Sequence, residues 1–378
     1  MKRILRDTTL FLFFTLLIFP ENLFAEPFLN FPNRTNDGFV NSQSSKKGSK
    51  RRGKRRKPRI KLELNARMDI TYDDNVVNYS DSDLDLYDSG GKDQKFEIES
   101  KDDIILTPRA NFTMIRNRQG GLKCYLDGLI IFHFYSQNDI KNYQYYRLRF
   151  TREISRQLEA YVQVAYIPDY YYRNQWDPDV NEYFEAEFSK FYLYGGIDIE
   201  PFSHLTVSTD INYDTKKFND RFDHLDSRKL VFEFMAVERF SYFYKAWGQY
   251  RFGYNRAEGE DDPDPDKKDT SYDLIGFTFG SRFYLSKITE DVIQVAVTVS
   301  YDRLLYQTAK VNDIYRFGRK DNNYEFSIAP RYYYKNWRFE IEYLYQAKRT
   351  DIGAGDDIKE LLEYDSNEIK LSVRYSIL

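Results

Sequence analysis

Ile60-Lys61-Leu62-Glu63-Leu64-Asn65-Ala66-Arg67-Met68-Asp69-Ile70-Thr71-Tyr72 sets an apolar side chain at every even position and a polar one at every odd position. A two-residue period is the signature of a strand with one greasy face, since successive side chains leave a strand on opposite sides. The match runs unbroken over thirteen residues, where a strand of a soluble sheet has about 5–6. Thirteen more runs of this kind follow, at 104–115, 122–135, 143–151, 158–167, 184–199, 205–214, 229–238, 242–254, 272–285, 291–302, 324–334, 337–346 and 366–378. The expectation is an all-β fold: an antiparallel up-and-down transmembrane barrel of fourteen strands.

Period two alone also fits a soluble sandwich. The connections separate the two readings. Short ones, such as Lys335-Asn336, alternate with long ones at 73–103, 168–183, 215–228, 255–271, 303–323 and 347–365. Short turns on one side and long loops on the other suit an outer-membrane barrel with periplasmic termini and extracellular loops. The last run, Ile369 to Leu378, ends in mid-pattern and is expected to pair with the first, removing the sheet's edges. An excess of aromatic residues, 34 Tyr and 30 Phe against 4 Met, suits girdles at two membrane interfaces. Pro108 and Pro330 fall inside expected strands and should each mark a bulge or a strand end. The apolar parity of the sixth run changes between Phe188 and Phe191, which reads as an irregular strand.

The first 59 residues differ in kind. Lys2, Arg3 and Arg6 precede an apolar run from Leu10 to Phe19, then Pro20 and the small residue Ala25. Residues 1–25 read as a secretory signal peptide, too short for a membrane-spanning helix. Residues 26–59 read as a disordered polybasic periplasmic arm, and 60–378 as the barrel. Residues 1–59 hold 14 of the 56 Lys/Arg and 4 of the 59 Asp/Glu, leaving 42 against 55 for the remainder. Export removes nucleic acid as a partner of the arm. Lys46 to Arg59 instead suits anionic lipid headgroups or cell-wall carboxylates, a plug for the pore, or a plain linker. The single Cys124 excludes an internal disulfide framework.

Tyr72-Asp73-Asp74-Asn75-Val76, at the mouth of the first long loop, resembles a motif of a Gram-negative outer-membrane porin family. It is similar, less closely, to the barrel part of surface lipoprotein assembly modulators. The resemblance implies a barrel inserted into outer-membrane lipid by the barrel-assembly machinery.

The candidate pore-lining residues follow from parity: Arg67, Asp69, Arg109, Asp127, Arg147, Arg149, Glu233, Arg251, Arg282, Arg331, Arg338, Glu340, Glu342 and Arg374. They form either a wet pore whose charges set ion preference or a wall cross-linked by its own salt bridges. Arg147, Arg149 and Arg109 suggest a basic stripe with mild anion preference. A fourteen-strand barrel is about 25–30 Å across, wider than wall side chains readily fill, so water or an inserted loop must occupy the middle. Loop 73–103 and loop 303–323 are long enough.

Catalysis finds little footing. His133, His204 and His224 are the only histidines, and Asp223-His224-Leu225-Asp226 lacks a nucleophile motif to complete it. Asp81, Asp83, Asp85 and Asp88 are spaced like calcium ligands, yet Leu86 stands where the turn needs glycine. A second acidic cluster, from Glu258 to Asp266, is broken by prolines. No catalytic residue, metal or cofactor is expected. The expected function is an outer-membrane, porin-like channel for passive diffusion of small hydrophilic solutes or ions. The alternatives are a surface barrel acting as adhesin or receptor through its loops, and a lipoprotein-export barrel.

Overall fold

The alternation of the first strand propagates around a complete circle. In a computed structural model, residues 60–90, 95–117, 122–177, 180–260, 268–288, 291–311, 313–353 and 356–376 are described; the signal peptide and arm expected at 1–59 lie outside them. The strands are β1 (Ile60–Asp73), β2 (Asp103–Asn117), β3 (Lys123–Tyr135), β4 (Tyr143–Glu153), β5 (Leu158–Asp177), β6 (Glu182–Phe202) and β7 (Leu205–Phe218). The second half holds β8 (Ser227–Arg239), β9 (Tyr244–Ala257), β10 (Tyr272–Ile288), β11 (Asp291–Tyr306), β12 (Lys320–Tyr334), β13 (Trp337–Asp351) and β14 (Tyr364–Ser376). Each pairs antiparallel with its chain neighbours, and β14 pairs with β1 from Asn65↔Ser376 to Asp73↔Glu368, closing a fourteen-stranded barrel. Two short helices, α1 (Asp81–Asp88) and α2 (Asp356–Glu360), lie in long loops.

The burial is inverted relative to a soluble barrel. On β1 the apolar Met68 and Ile70 are 45% and 43% exposed, while Asp69 and Thr71 are 0% and 7% exposed. The same inversion recurs on β14, where Leu371 and Val373 are exposed and Ser372 is buried. A continuous apolar outer wall of this size in water would drive association. Hydrocarbon is the surrounding that fits it, and closure leaves the backbone polar groups paired. Aromatic rings mark both rims: Tyr72, Tyr166, Tyr213 and Tyr254 toward the long loops, Phe202, Phe283, Trp337 and Tyr375 toward the short turns, all exposed. No helix among the described residues is long and apolar enough to cross a membrane; the strands do the crossing.

Three local expectations change. Pro108 and Pro330 make neither a bulge nor a strand end. Pro108 faces Met68 of β1, and its ladder to β3 merely skips between Leu106↔Phe134 and Arg109↔Ile131 with the register intact. Pro330 behaves likewise between Ile328↔Tyr343 and Arg331↔Glu340. The missing N–H costs one rung on one side and nothing in alignment.

Strand β6 keeps one parity across this stretch, because Phe188 points inward and Phe191 outward; its own register shift, against β7, comes later, between Ile199 and Phe202. The irregularity near Phe188 belongs to β5, whose register against β6 shifts between Ile167 and Tyr170 and again between Tyr171 and Arg173.

The expected loop 168–183 is mostly strand. At 20 and 21 residues, β5 and β6 reach roughly 65 Å at 3.3 Å per residue, about twice the hydrocarbon thickness. Their hairpin stands well above the rest of the barrel.

Candidate pore lumen

All fourteen residues chosen by parity sit on the inward face, and the structure links most of them into pairs across strands. Arg67 Nε donates to Asp69 at 2.5 Å and its Nη2 to Ser372 Oγ at 2.9 Å. Arg109 reaches the other oxygen of Asp69 at 2.7 Å. Glu340 is bridged by Arg331 and Arg338 and lies 3.8 Å from Arg67. Glu342 pairs with Lys370. Arg251 Nε donates to Asp302 at 2.7 Å. Asp127 accepts from Thr113 Oγ1 at 2.6 Å, and Glu233 accepts from Asn212 and Gln249 at 2.5 Å each. The Arg149 guanidinium lies 3.8 Å from the Tyr161 ring centroid, and Tyr161 donates to Asp210 at 2.7 Å. Arg147 faces Leu129 and Ala165 across the ladder, Arg282 faces Lys245, and Arg374 stands between Arg67 and Arg338. A cross-linked wall is therefore present.

The wall from β3 to β6 is different. Ile131, Tyr145, Ala165, Ile167 and Tyr192 form a buried cluster on its inner face. Rings continue it upward: His133 stacks on Tyr143 at 4.1 Å, Tyr143 meets Tyr170 edge-on at 5.0 Å, and Tyr170 meets Phe188 at 5.0 Å. Such ring pairs add to the area they bury.

Loop one (residues 74–102) folds onto this aromatic side. Val76, Val77, Tyr79, Phe96 and Ile98 bury themselves with Tyr171 of β5. Asn75 sets the fold of the loop: its side chain donates to Tyr79 O at 2.8 Å and accepts from Tyr79 N at 2.9 Å. Asp74 accepts from the backbone and side-chain nitrogens of Asn367 at 2.7 and 2.8 Å. The Tyr72–Val76 motif thus clasps the first strand to the last and turns the chain back over the mouth.

The bulges of β5 carry Tyr172 and Arg173 inward. Arg173 lies close enough to act electrostatically on Lys348 of β13, six strands away, and Tyr172 on Arg319 at the start of β12. Lys268, before β10, feels both Arg173 and Arg316 and is pushed down to about 8, chiefly by burial. Charged groups from opposite walls come within electrostatic range of one another here, at the long-loop mouth. Lys141, in the turn before β4, is 2% exposed and lies 5.5 Å from the Tyr170 ring and 6.0 Å from those of Tyr135 and Tyr171. Burial lowers its pKa to about 8, with Asp73 opposing and Arg173 reinforcing the fall.

Parity did not single out this cap. The signal available was Val76-Val77-Asn78-Tyr79 and Phe96-Glu97-Ile98, apolar islands in an otherwise acidic loop.

The remaining candidates stay apart. The calcium-like aspartates sit on α1, not in a ligand loop: Ser80 caps the helix, Asp83 pairs with Lys95 at 2.5 Å and Asp88 with Lys101 at 2.5 Å. Residues 261–267 of the second acidic cluster lie outside the described residues. His133 lies 3.4 Å from Thr107 Oγ1, His204 pairs with Glu238 at 3.6 Å, and His224 meets Phe222 edge-on. Among the described residues no three His, Cys, Asp or Glu side chains are placed to hold a metal ion.

No family model matches this chain, and no curated protein matches it. Solved structures do. The outer membrane channel DcaP of Acinetobacter baumannii is 11% identical, with a TM-score of 0.43, covering 85% of this chain and 97% of its own. OmpT, an outer membrane protein of Vibrio cholerae, is 9% identical with a TM-score of 0.43, over 84% and 99%. A bacterial polysaccharide outer membrane secretin is 9% identical with a TM-score of 0.45, over 83% and 98%.

Proposed function

We propose that this chain is a porin-like channel of a bacterial outer membrane, passing small hydrophilic solutes or ions by diffusion through a lumen narrowed at its outer mouth. The observation that carries this reading is the inverted burial: an apolar wall outside and a wall of arginine and carboxylate inside. Wall charge and width would act as the filter, with no bond made or broken. In this reading the termini and short turns face the periplasm, and the long loops with the β5–β6 crown face outward. The barrel-assembly machinery would insert it. The basic arm, Lys46 to Arg59, would engage anionic lipid or the cell wall. Single-channel recording in planar bilayers tests the reading; a folded sample, certified by heat-modifiable migration, that never conducts removes it.

The cap gives a second reading some support. A crown with its own apolar cluster at Val76, Tyr79, Phe96 and Tyr171 is also what a surface receptor would display. A barrel that stays closed after loop one is excised favours that alternative.

A further inference from the structure

A notch of about 250 Å³ opens in the outer wall across β3, β4 and β5, bordered by Phe112, Gly128, Leu148, Val164, Tyr166 and Phe191. Gly128 brings no side chain to this face, and the Phe112 ring leans onto it, 2.2 Å from where a Cβ would stand. A methylene group is close in size to a water molecule, which takes about 30 Å³, so the notch has room for on the order of eight. Nearer the short turns the same sector becomes basic. The register sets Arg116 of β2 opposite Cys124 of β3, and Cys124 opposite Arg152 of β4. Parity places both arginines on the outer face, in line with the exposed Met114 and Phe150, and both are exposed. Two strand steps put them roughly 10 Å apart, and Gly128 stands about 13 Å further along β3 from Cys124. Among the described residues neither arginine makes an ion pair or a side-chain hydrogen bond. No acidic residue shares the outer face of β2, β3 or β4 with them.

We infer that this sector holds an anionic phospholipid, its phosphate bridging Arg116 and Arg152 and one acyl chain running along the wall into the notch. The inference rests on lipid surrounding the barrel, not on conduction through it. Two independent observations carry it: open apolar space at membrane depth, and a pair of uncompensated guanidinium groups at the rim beside it. Guanidinium forks hold phosphate through paired N–H groups. Long apolar stems let both charged heads reach headgroup level while lying against the wall. Two such groups without an acid nearby favour an anionic headgroup over a zwitterionic one, whose ammonium they repel. The notch in turn favours a whole lipid over free phosphate, because only a lipid fills it.

Native mass spectrometry of the detergent-purified full chain, titrated with dioleoyl phosphatidylglycerol or dioleoyl phosphatidylcholine, tests the site. Phosphatidylglycerol should bind at least tenfold tighter than phosphatidylcholine, and equimolar inorganic phosphate should not displace it. The Arg116→Gln/Arg152→Gln variant should weaken it at least tenfold. The control Arg228→Gln/Arg256→Gln, at the loop end of β8 and β9, should leave it unchanged. The basic arm is present in every variant, so its own attraction to anionic headgroups cancels in the comparison. Val164→Trp fills the notch without touching a charge and should weaken phosphatidylglycerol severalfold. Equal affinity for the two lipids overturns the site, as does equal affinity in wild type and double variant, or a loss in the control. Unchanged binding in Val164→Trp, displacement by phosphate, or a second copy of the chain in place of lipid overturns it too. Should the double variant fail to fold, Val164→Trp and the comparison of the two lipids still decide.

Discussion

The two sides of the lumen solve the same problem with opposite chemistry. From β12 round to β2 the inner wall is arginine and carboxylate, tied together by ion pairs along and across the strands. Along the long-loop half of β3 to β6 it is tyrosine, phenylalanine and isoleucine, below a second apolar cluster under loop one, with Asp127, Arg147 and Arg149 nearer the short turns. A wall meant only to be filled could be aromatic all round, and one meant only to be wet could be charged all round. The division teaches that one side anchors the cap while the other keeps a polar surface beneath it.

The largest effect expected on this division comes from excising residues 76–99 behind a short glycine-serine joint. The aromatic side then loses its lid, and single-channel conductance should rise severalfold. An unchanged current would mean that β5 and β6, rather than loop one, set the narrowest point.

Point changes sharpen the contrast. Ile131→Ala on the aromatic side removes a side chain 2% exposed and should cost about 3 kcal/mol of stability in urea unfolding, leaving ion selectivity alone. Asp69→Asn on the charged side leaves Arg67 and Arg109 without their shared carboxylate. It should cost a comparable amount, about 3 kcal/mol, and shift the reversal potential toward anions. If both variants moved selectivity equally, the two walls would not be functionally distinct.

Lys141 offers a pH test of the cap. Its pKa is about 8 in the folded protein against about 10.4 when free, so the folded state sheds its proton first. The cost of burying the cation is full below pH 8 and fades as pH rises toward 10, a gain of up to about 3 kcal/mol. Loop one should therefore resist protease better at pH 9.5 than at pH 7, and Lys141→Met should flatten that rise. A wild-type slope of opposite sign, absent in the variant, would contradict the assignment.

The smallest effect is expected on the outside. Gly128 lies beneath the Phe112 ring, where an added Cβ would come within 2.2 Å of Cε1. That ring can swing into lipid, so Gly128→Ala should cost under about 1 kcal/mol. At Gly253 the obstacle is the Leu230 carbonyl at 2.1 Å, backbone that cannot swing, and Gly253→Ala should cost clearly more in the same assay.

Fourteen strands and most of their faces were legible in the sequence, because lipid outside and charge inside force each residue's polarity to follow its direction. The inward direction of the candidate residues, Arg67 through Arg374, was legible for the same reason. What parity could not give is anything settled by contacts between distant segments. The height of β5 and β6 was hidden because Asp169 to Asp177 alternates poorly once bulges intervene. Phe188 looked misplaced because an inward ring is apolar where most inward residues are charged, and only loop one and its neighbours explain it. The prolines misled because a ladder can lose a rung without losing its count.

The clasp between Asp74 and Asn367 joins residues 293 positions apart, whereas every other neighbouring pair of strands is a hairpin that can zip locally. That one meeting carries a larger loop-closure cost than any single hairpin. Thirteen ribbons can assemble in sequence as an open sheet, but the cylinder exists only when the newest strand finds the oldest. The seam is therefore the step that should limit the rate of assembly.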